Sequence, residues 1–159
     1  MRLIGTTIYS ALLLTLASTL VAAAPTQEKK LSKKNIPAPV LAAFHKAYPK
    51  ATVRAAAEEQ KDGKTTYEIE SMDGKTARDL QYLADGTVVE IEETIAISEI
   101  PEAVKTAVTG RYPKGKIIKA EKVTKGQDVS YDVEMRADKG KVSIDVDAHG
   151  KVLKEEKGD

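Results

Sequence analysis

Carboxylates are the groups through which this chain could do chemistry, and they recur at the spacing of a strand. Glu68 and Glu70, Asp132 and Glu134, and Asp145 and Asp147 each lie two residues apart, and Asp79 stands alone. On an extended backbone, residues two apart project from the same side. Paired there, carboxylates could move protons or hold a hard cation. Arg136 and Lys141 are interleaved with them and are expected as cross-strand partners, and acids on a wet strand face more often keep a protein soluble. The two histidines offer less. His45 follows Phe44 in a helical stretch, and His149 precedes Gly150 in a turn. They do not sit at matching points of the chain, so they are read as a surface residue and a turn residue. Cysteine is absent, which removes thiolate metal sites, thiol nucleophiles and disulfides. The glycines stand singly in turns, so no phosphate cradle is expected, and no serine stands with a His and an Asp in a nucleophilic set. No catalytic residue, metal ligand or cofactor is predicted, and the chain is read as non-enzymatic.

The elements that must position these carboxylates come in two copies. Ile36-Pro37 recurs as Ile100-Pro101, and Tyr48-Pro49-Lys50 as Tyr112-Pro113-Lys114. Tyr67-Glu68-Ile69-Glu70 recurs as Tyr131-Asp132-Val133-Glu134, and Asp85-Gly86 as His149-Gly150. Every pair is offset by 64 residues, without a gap. One supersecondary unit used twice is the reading. Pro37 and Pro101 suit the first turn of a helix. Val40, Leu41, Phe44 and Ala47, and then Val104, Ala107 and Val108, follow at helical spacing. Pro49 and Pro113 end these helices, because the residue before proline is pushed out of the helical region. Turns follow at Asp62-Gly63, Asp73-Gly74 and Asp85-Gly86, and again at Lys125-Gly126, Asp138-Lys139-Gly140 and His149-Gly150. The segments between them alternate: Val129, Tyr131, Val133 and Met135 oppose Ser130, Asp132, Glu134 and Arg136. That is the period of strands with one wet face, joined by hairpins. Ile118 and Ala120 fall out of phase with Ile117 and Val123, which predicts a bulge in the first strand of the second copy.

The predicted fold class is therefore α+β, as two tandem repeats, each one helix packed on a four-stranded antiparallel β-meander. A unit of about 60 residues is near the lower limit for an independent core, and the two are expected to support each other side by side.

The first 23 residues read differently. Arg2, the apolar stretch from Leu3 to Leu20 and the small residues Val21 to Ala24 have the order of a secretory signal peptide. Cleavage is expected after Ala23, with an uncleaved anchor helix as the competing reading. Residues 24–35 are read as a charged linker, 36–95 as the first repeat and 96–159 as the second. Lys and Arg number 25 and Asp and Glu 24, and removal of the leader takes Arg2 with it. The mature chain is then formally neutral, which argues against nucleic acid as a partner. A periplasmic or secreted location is expected, with no membrane span once the leader is gone.

The order of Ile-Pro, helix, Tyr-Pro, a strand with Tyr-acid-aliphatic-acid and a closing Asp-Gly or His-Gly turn resembles the PepSY-like domain family. It is most similar to that family's tandem β-lactamase-inhibitor-like group, over residues 36–93 and 100–156. The resemblance implies secretion, a helix-on-sheet fold and a role in binding or inhibiting another extracytoplasmic protein. It supplies no inhibitory motif that can be carried over residue by residue.

From the residues themselves, the polar sheet face is the expected partner surface, with Glu68, Glu70, Asp132, Glu134 and Arg136 as its candidate contacts. One four-stranded face offers only roughly 300–350 Å², against about 800 Å² per partner in a stable complex, so both copies are needed. The alternative reading is a small-ligand or cation-binding protein that uses the same acidic face.

Overall fold

The computed structural model describes residues 27–61, 63–138 and 140–158. The signal segment expected over 1–23, its cleavage site, the start of the linker, and Asp62 and Lys139 of two predicted turns lie outside the described residues. The strands are β1 (Gln27–Lys30), β2 (Thr52–Lys61), β3 (Lys64–Asp73), β4 (Thr76–Tyr82), β5 (Val88–Thr94), β6 (Lys116–Lys125), β7 (Asp128–Ala137), β8 (Gly140–Asp147) and β9 (Val152–Lys157). The helices are α1 (Ala38–Ala47) and α2 (Glu102–Arg111), each preceded by a single 3₁₀ turn. Among the described residues no helix is long and apolar enough to cross a membrane.

The expectation of two tandem repeats, each a helix on its own four-stranded meander, is corrected. Nine strands form a single antiparallel sheet in the order β1 to β9, and the two helices are only ten residues each. Two features make the difference. The last strand of the first copy pairs with the first strand of the second, from Ile91 opposite Thr124 to Thr94 opposite Glu121. Gln27–Lys30, inside the stretch read as linker, adds a further strand against Ala57–Gln60 of β2. The physical reason is the edge. A free strand edge leaves a row of unpaired amides and carbonyls, and joining β5 to β6 satisfies two such rows at once.

The local reasons for the elements are plain in both halves. Pro37 and Pro101 cap the helices, and Tyr48 and Tyr112 close them with nearly the same backbone (φ −130°, ψ 67° and φ −128°, ψ 69°). The bulge expected near Ile117 is present as a register shift between Ile117 and Lys119, and its counterpart lies between Val53 and Ala55. Val40 and Phe44 of α1 bury against Val53, Ala56, Ile69, Leu80 and Tyr82. Val104 and Val108 of α2 bury against Ala120, Val133, Met135, Ile144 and Val146. The small and large residues are traded between copies. Where the first has Phe44, Ala51 and Ser71, the second has Val108, Gly115 and Met135. A Cβ on Gly115 would stand 3.0 Å from the Met135 methyl, so the glycine leaves the room that Met135 fills.

Register decides how the helices are placed. Ile91, which packs on the first core, lies opposite Thr124, and Glu93 lies opposite Lys122. Ala120, two residues further along β6, is on that side too and is buried in the second core. Both helices therefore cover one face of the sheet. Among the described residues no element covers the other face along the nine strands.

Candidate functional site

The alternation of each strand sends its acids to the open face. Ile69 is fully buried on β3, so Glu68 and Glu70 project the other way. Val133 and Met135 are fully buried on β7, which turns Asp132, Glu134 and Arg136 to the same open side. Glu70 and Arg136 are exposed, and Glu68, Asp132 and Glu134 are half-buried. The five sequence-derived contacts thus share one face but form two groups. β3 and β7 are four strand spacings apart, roughly 19 Å.

More of the face is acidic than the five residues suggest. Register carries the row from Glu70 to Asp79, from Asp79 to Glu92, and on the second half from Glu121 to Asp132 to Asp145. Glu90, Glu92 and Glu121 were not singled out from sequence. The signal for the first two was there, as the alternation Glu90-Ile91-Glu92. Asp147, on the same side as Asp145, is engaged within its own hairpin. Its carboxylate accepts the backbone N–H groups of His149 and Lys151 at 2.9 Å each, so it shapes the last hairpin.

The two halves of the face differ in how their charges are met. In the second half three lysines of the face are engaged: Lys141 with Glu134 at 2.6 Å, Lys119 with Glu121 at 2.7 Å and Lys154 with Glu156 at 2.6 Å. Lys125 reaches Glu90 at 2.8 Å. Among the described residues Glu68, Glu70, Asp79 and Glu92 form no ion pair. Partial burial, and then the neighbouring charges of Glu59, Asp79, Glu70 and Glu28, push Glu68 up to about 7. Burial followed by like charges also raises Asp79 and Glu92. A shallow depression of about 170 Å³ lies across β5 to β9, between Glu92, Asp132, Asp145 and Lys154. Among the described residues no group of three or more His, Cys, Asp or Glu is placed to hold a metal ion. His45 and His149 are both exposed, on α1 and in the last hairpin.

The pKa shifts give a stability prediction with a definite sign. A carboxyl whose pKa is higher folded than unfolded binds its proton more tightly in the folded state. Its stabilisation is complete below the unfolded value near 4.5 and is lost as pH rises through about 7. Thermal unfolding should therefore give a higher Tm at pH 5 than at pH 8. Glu68→Gln should reduce that difference by raising the Tm at pH 8. A Tm that climbs from pH 5 to pH 8 would show that the open face does not crowd these carboxyls.

Comparison with known proteins adds the relationship. The model of the family described as "Putative beta-lactamase-inhibitor-like, PepSY-like" matches residues 24–90 and 65–154. No curated protein matches the chain. Among solved structures, it is similar to a DUF2874 family protein from Bacteroides uniformis, with a TM-score of 0.62 and 20% identity over 76% of this chain and 88% of that one. A "putative periplasmic" protein from Bacteroides eggerthii gives a TM-score of 0.62 and 19% identity, over 76% and 88%. A BLIP-like protein from Bacteroides fragilis gives 0.56 and 23%, over 76% and 87%. These likenesses show a shared fold. The two matched stretches together span most of the sequence, and the chain belongs to the PepSY-like, beta-lactamase-inhibitor-like family.

Proposed function

We propose that this is an exported, non-enzymatic protein-binding module, an inhibitor or regulator of an extracytoplasmic enzyme, and that the open face of the sheet is its partner surface. The observation that carries the reading is continuity. Nine strands in one sheet span about eight spacings of 4.8 Å, and five residues along each strand add about 17 Å, which gives roughly 650 Å² without a break. With the hairpin ends that area approaches the roughly 800 Å² that a stable complex buries on each partner. A single copy cannot. The family description as inhibitor-like supports a protein partner, and so does the BLIP-like relative of the same fold. The leader-like start of the sequence supports export, as does the relative described as periplasmic. Residues 36–95 and 96–159 then act as two contributors to one surface and not as two independent domains.

Glu68, Glu70, Asp132, Glu134 and Arg136 are the contacts to test. Glu70→Lys combined with Glu134→Lys should leave the Tm within a few degrees of the parent, since neither side chain serves a core. Capture of the partner from periplasmic extract should fall about tenfold or more, because opposed charges across an interface act on both encounter and register. Glu102→Lys, on the helix side, is the control and should leave capture unchanged. Unchanged capture by the double reversal would contradict the reading. Saturable heat on titration with calcium or zinc, abolished by the same reversal, would favour the small-ligand or cation alternative.

A further inference from the structure

The duplication allows each half to be compared with the other, residue for residue, and one place is filled in the first and open in the second. At the end of α1 the Tyr48 ring is covered by Arg78 of β4, whose guanidinium carbon lies 4.8 Å from the ring centroid. Arg78 is ion-paired to Glu93, directly opposite on β5. Sixty-four residues on, the same three places hold Tyr112, Val142 and Lys157. Val142 again lies directly opposite Lys157, and the tyrosine backbone is the same to within a few degrees. The covering guanidinium has gone, and Lys157 stands where Glu93 did. A cavity of about 260 Å³ stands there, lined by Tyr112, Ala137, Val142, Lys157 and Gly158, with Asp138 and the stem of Lys141 at its rim.

Its chemistry is inverted relative to the first half. There a carboxylate, Glu93, holds a built-in cation. Here an ammonium, Lys157, occupies the carboxylate's place. The ammonium is exposed, and its only ion pair among the described residues is a 4.0 Å contact with Glu155. Glu155 is already engaged, by Arg111 at 2.8 Å and by the Tyr112 hydroxyl at 2.7 Å. The ammonium of Lys141 is turned to the opposite face, on Glu134. Among the described residues Asp138 is the one acidic side chain that lines it, and it is exposed.

We propose that this cavity is a binding site for a small carboxylate with one compact apolar group, such as an arylalkanoate. The apolar group takes the place over Tyr112 and Val142 that the Arg78 guanidinium takes over Tyr48, and the carboxylate meets Lys157. This site lies on the helix side of the sheet and meets the open face only at the sheet edge, through Lys141, Lys157 and Gly158.

The test is titration of the protein with 3-phenylpropionate, followed by the NMR shifts of the Val142 methyls and the Tyr112 ring. Saturable shifts with a dissociation constant on the order of 1–10 mM are expected for a ligand of this size. The uncharged 3-phenylpropionamide should bind about fivefold more weakly, the worth of one exposed charge. Lys157→Glu changes an exposed side chain, and it should weaken the acid about tenfold while favouring 2-phenylethylammonium. Val142→Arg with Lys157→Glu rebuilds the first half's arrangement and should abolish binding of either probe. No saturable shift with the acid overturns the proposal. So does equal binding of acid and amide, a Lys157→Glu variant that behaves as the parent, or binding retained by a folded double variant.

Discussion

Replacing Gly86 or Gly150 with alanine is expected to cost roughly 3–5 kcal/mol, a large share of what holds a domain of this size together. Both glycines close the last hairpin of their half, and both have left-handed backbone, at φ 86° and 89°. That conformation alone costs an alanine about 1–2 kcal/mol. The larger part is the neighbour. A Cβ on Gly86 would stand 2.7 Å from the Pro39 carbonyl oxygen, and one on Gly150 2.8 Å from that of Ala103. Pro39 and Ala103 are equivalent residues in the first turns of α1 and α2, so each hairpin seats its helix through a backbone contact that only glycine permits. Gly63, Gly74 and Gly126 separate the two effects. They have positive φ but nothing within 4 Å of a Cβ, and alanine there should cost only the conformational part. Chemical denaturation of the five variants gives the comparison. If Gly86→Ala costs no more than Gly74→Ala, the helices are not seated on the hairpins in this way.

Phe44→Ala is expected to cost roughly 3–5 kcal/mol as well, the range for an aromatic side chain removed from a closed core. Phe44 has no exposed surface and packs with Val40, Ile69, Leu80 and Tyr82. The more telling expectation is what happens to the other half. Because β5 and β6 are paired, the cores are parts of one sheet, and a loss in the first should lower the midpoint reported from the second. The NMR intensity of the folded Val133 and Val146 methyl signals follows the second core. It should shift together with far-ultraviolet dichroism in a single transition. Two separate transitions in Phe44→Ala would show that the β5–β6 pairing does not couple the halves.

These couplings mark where the sequence could be read and where it could not. The 64-residue offset and the alternation of Tyr131 to Met135 give the copies, the strands and the side on which each acid stands, because both are local properties of the chain. Pro37, Pro49, Pro101 and Pro113 bound the helices for reasons that hold in any context. Which strand edges meet is not local. Nothing in the alternation of β5 or β6 says that they pair with each other and not with solvent, and this turned two expected modules into one sheet. Gln27–Lys30 was unreadable as a strand for a related reason. All four residues are exposed, so there is no buried face to impose a period, and only pairing with β2 makes it a strand. At the open face, Glu68, Glu70, Asp132, Glu134 and Arg136 follow from alternation. The raised pKa values of Glu68, Asp79 and Glu92 come first from partial burial in the folded sheet and then from register, which sets acids from three strands side by side.

Carboxylate footprinting of the complex tests the central claim most directly. The protein is bound to the partner captured from periplasmic extract, its carboxyls are coupled to an amine with a carbodiimide, and labelling is compared with the free protein by mass spectrometry. A shared partner surface predicts reduced labelling at Glu70 on β3 and at Asp132 and Glu134 on β7, with Glu99 and Glu102 on the helix side unchanged. Protection confined to one half, or found at Glu99 and Glu102 and absent from the open face, would contradict it.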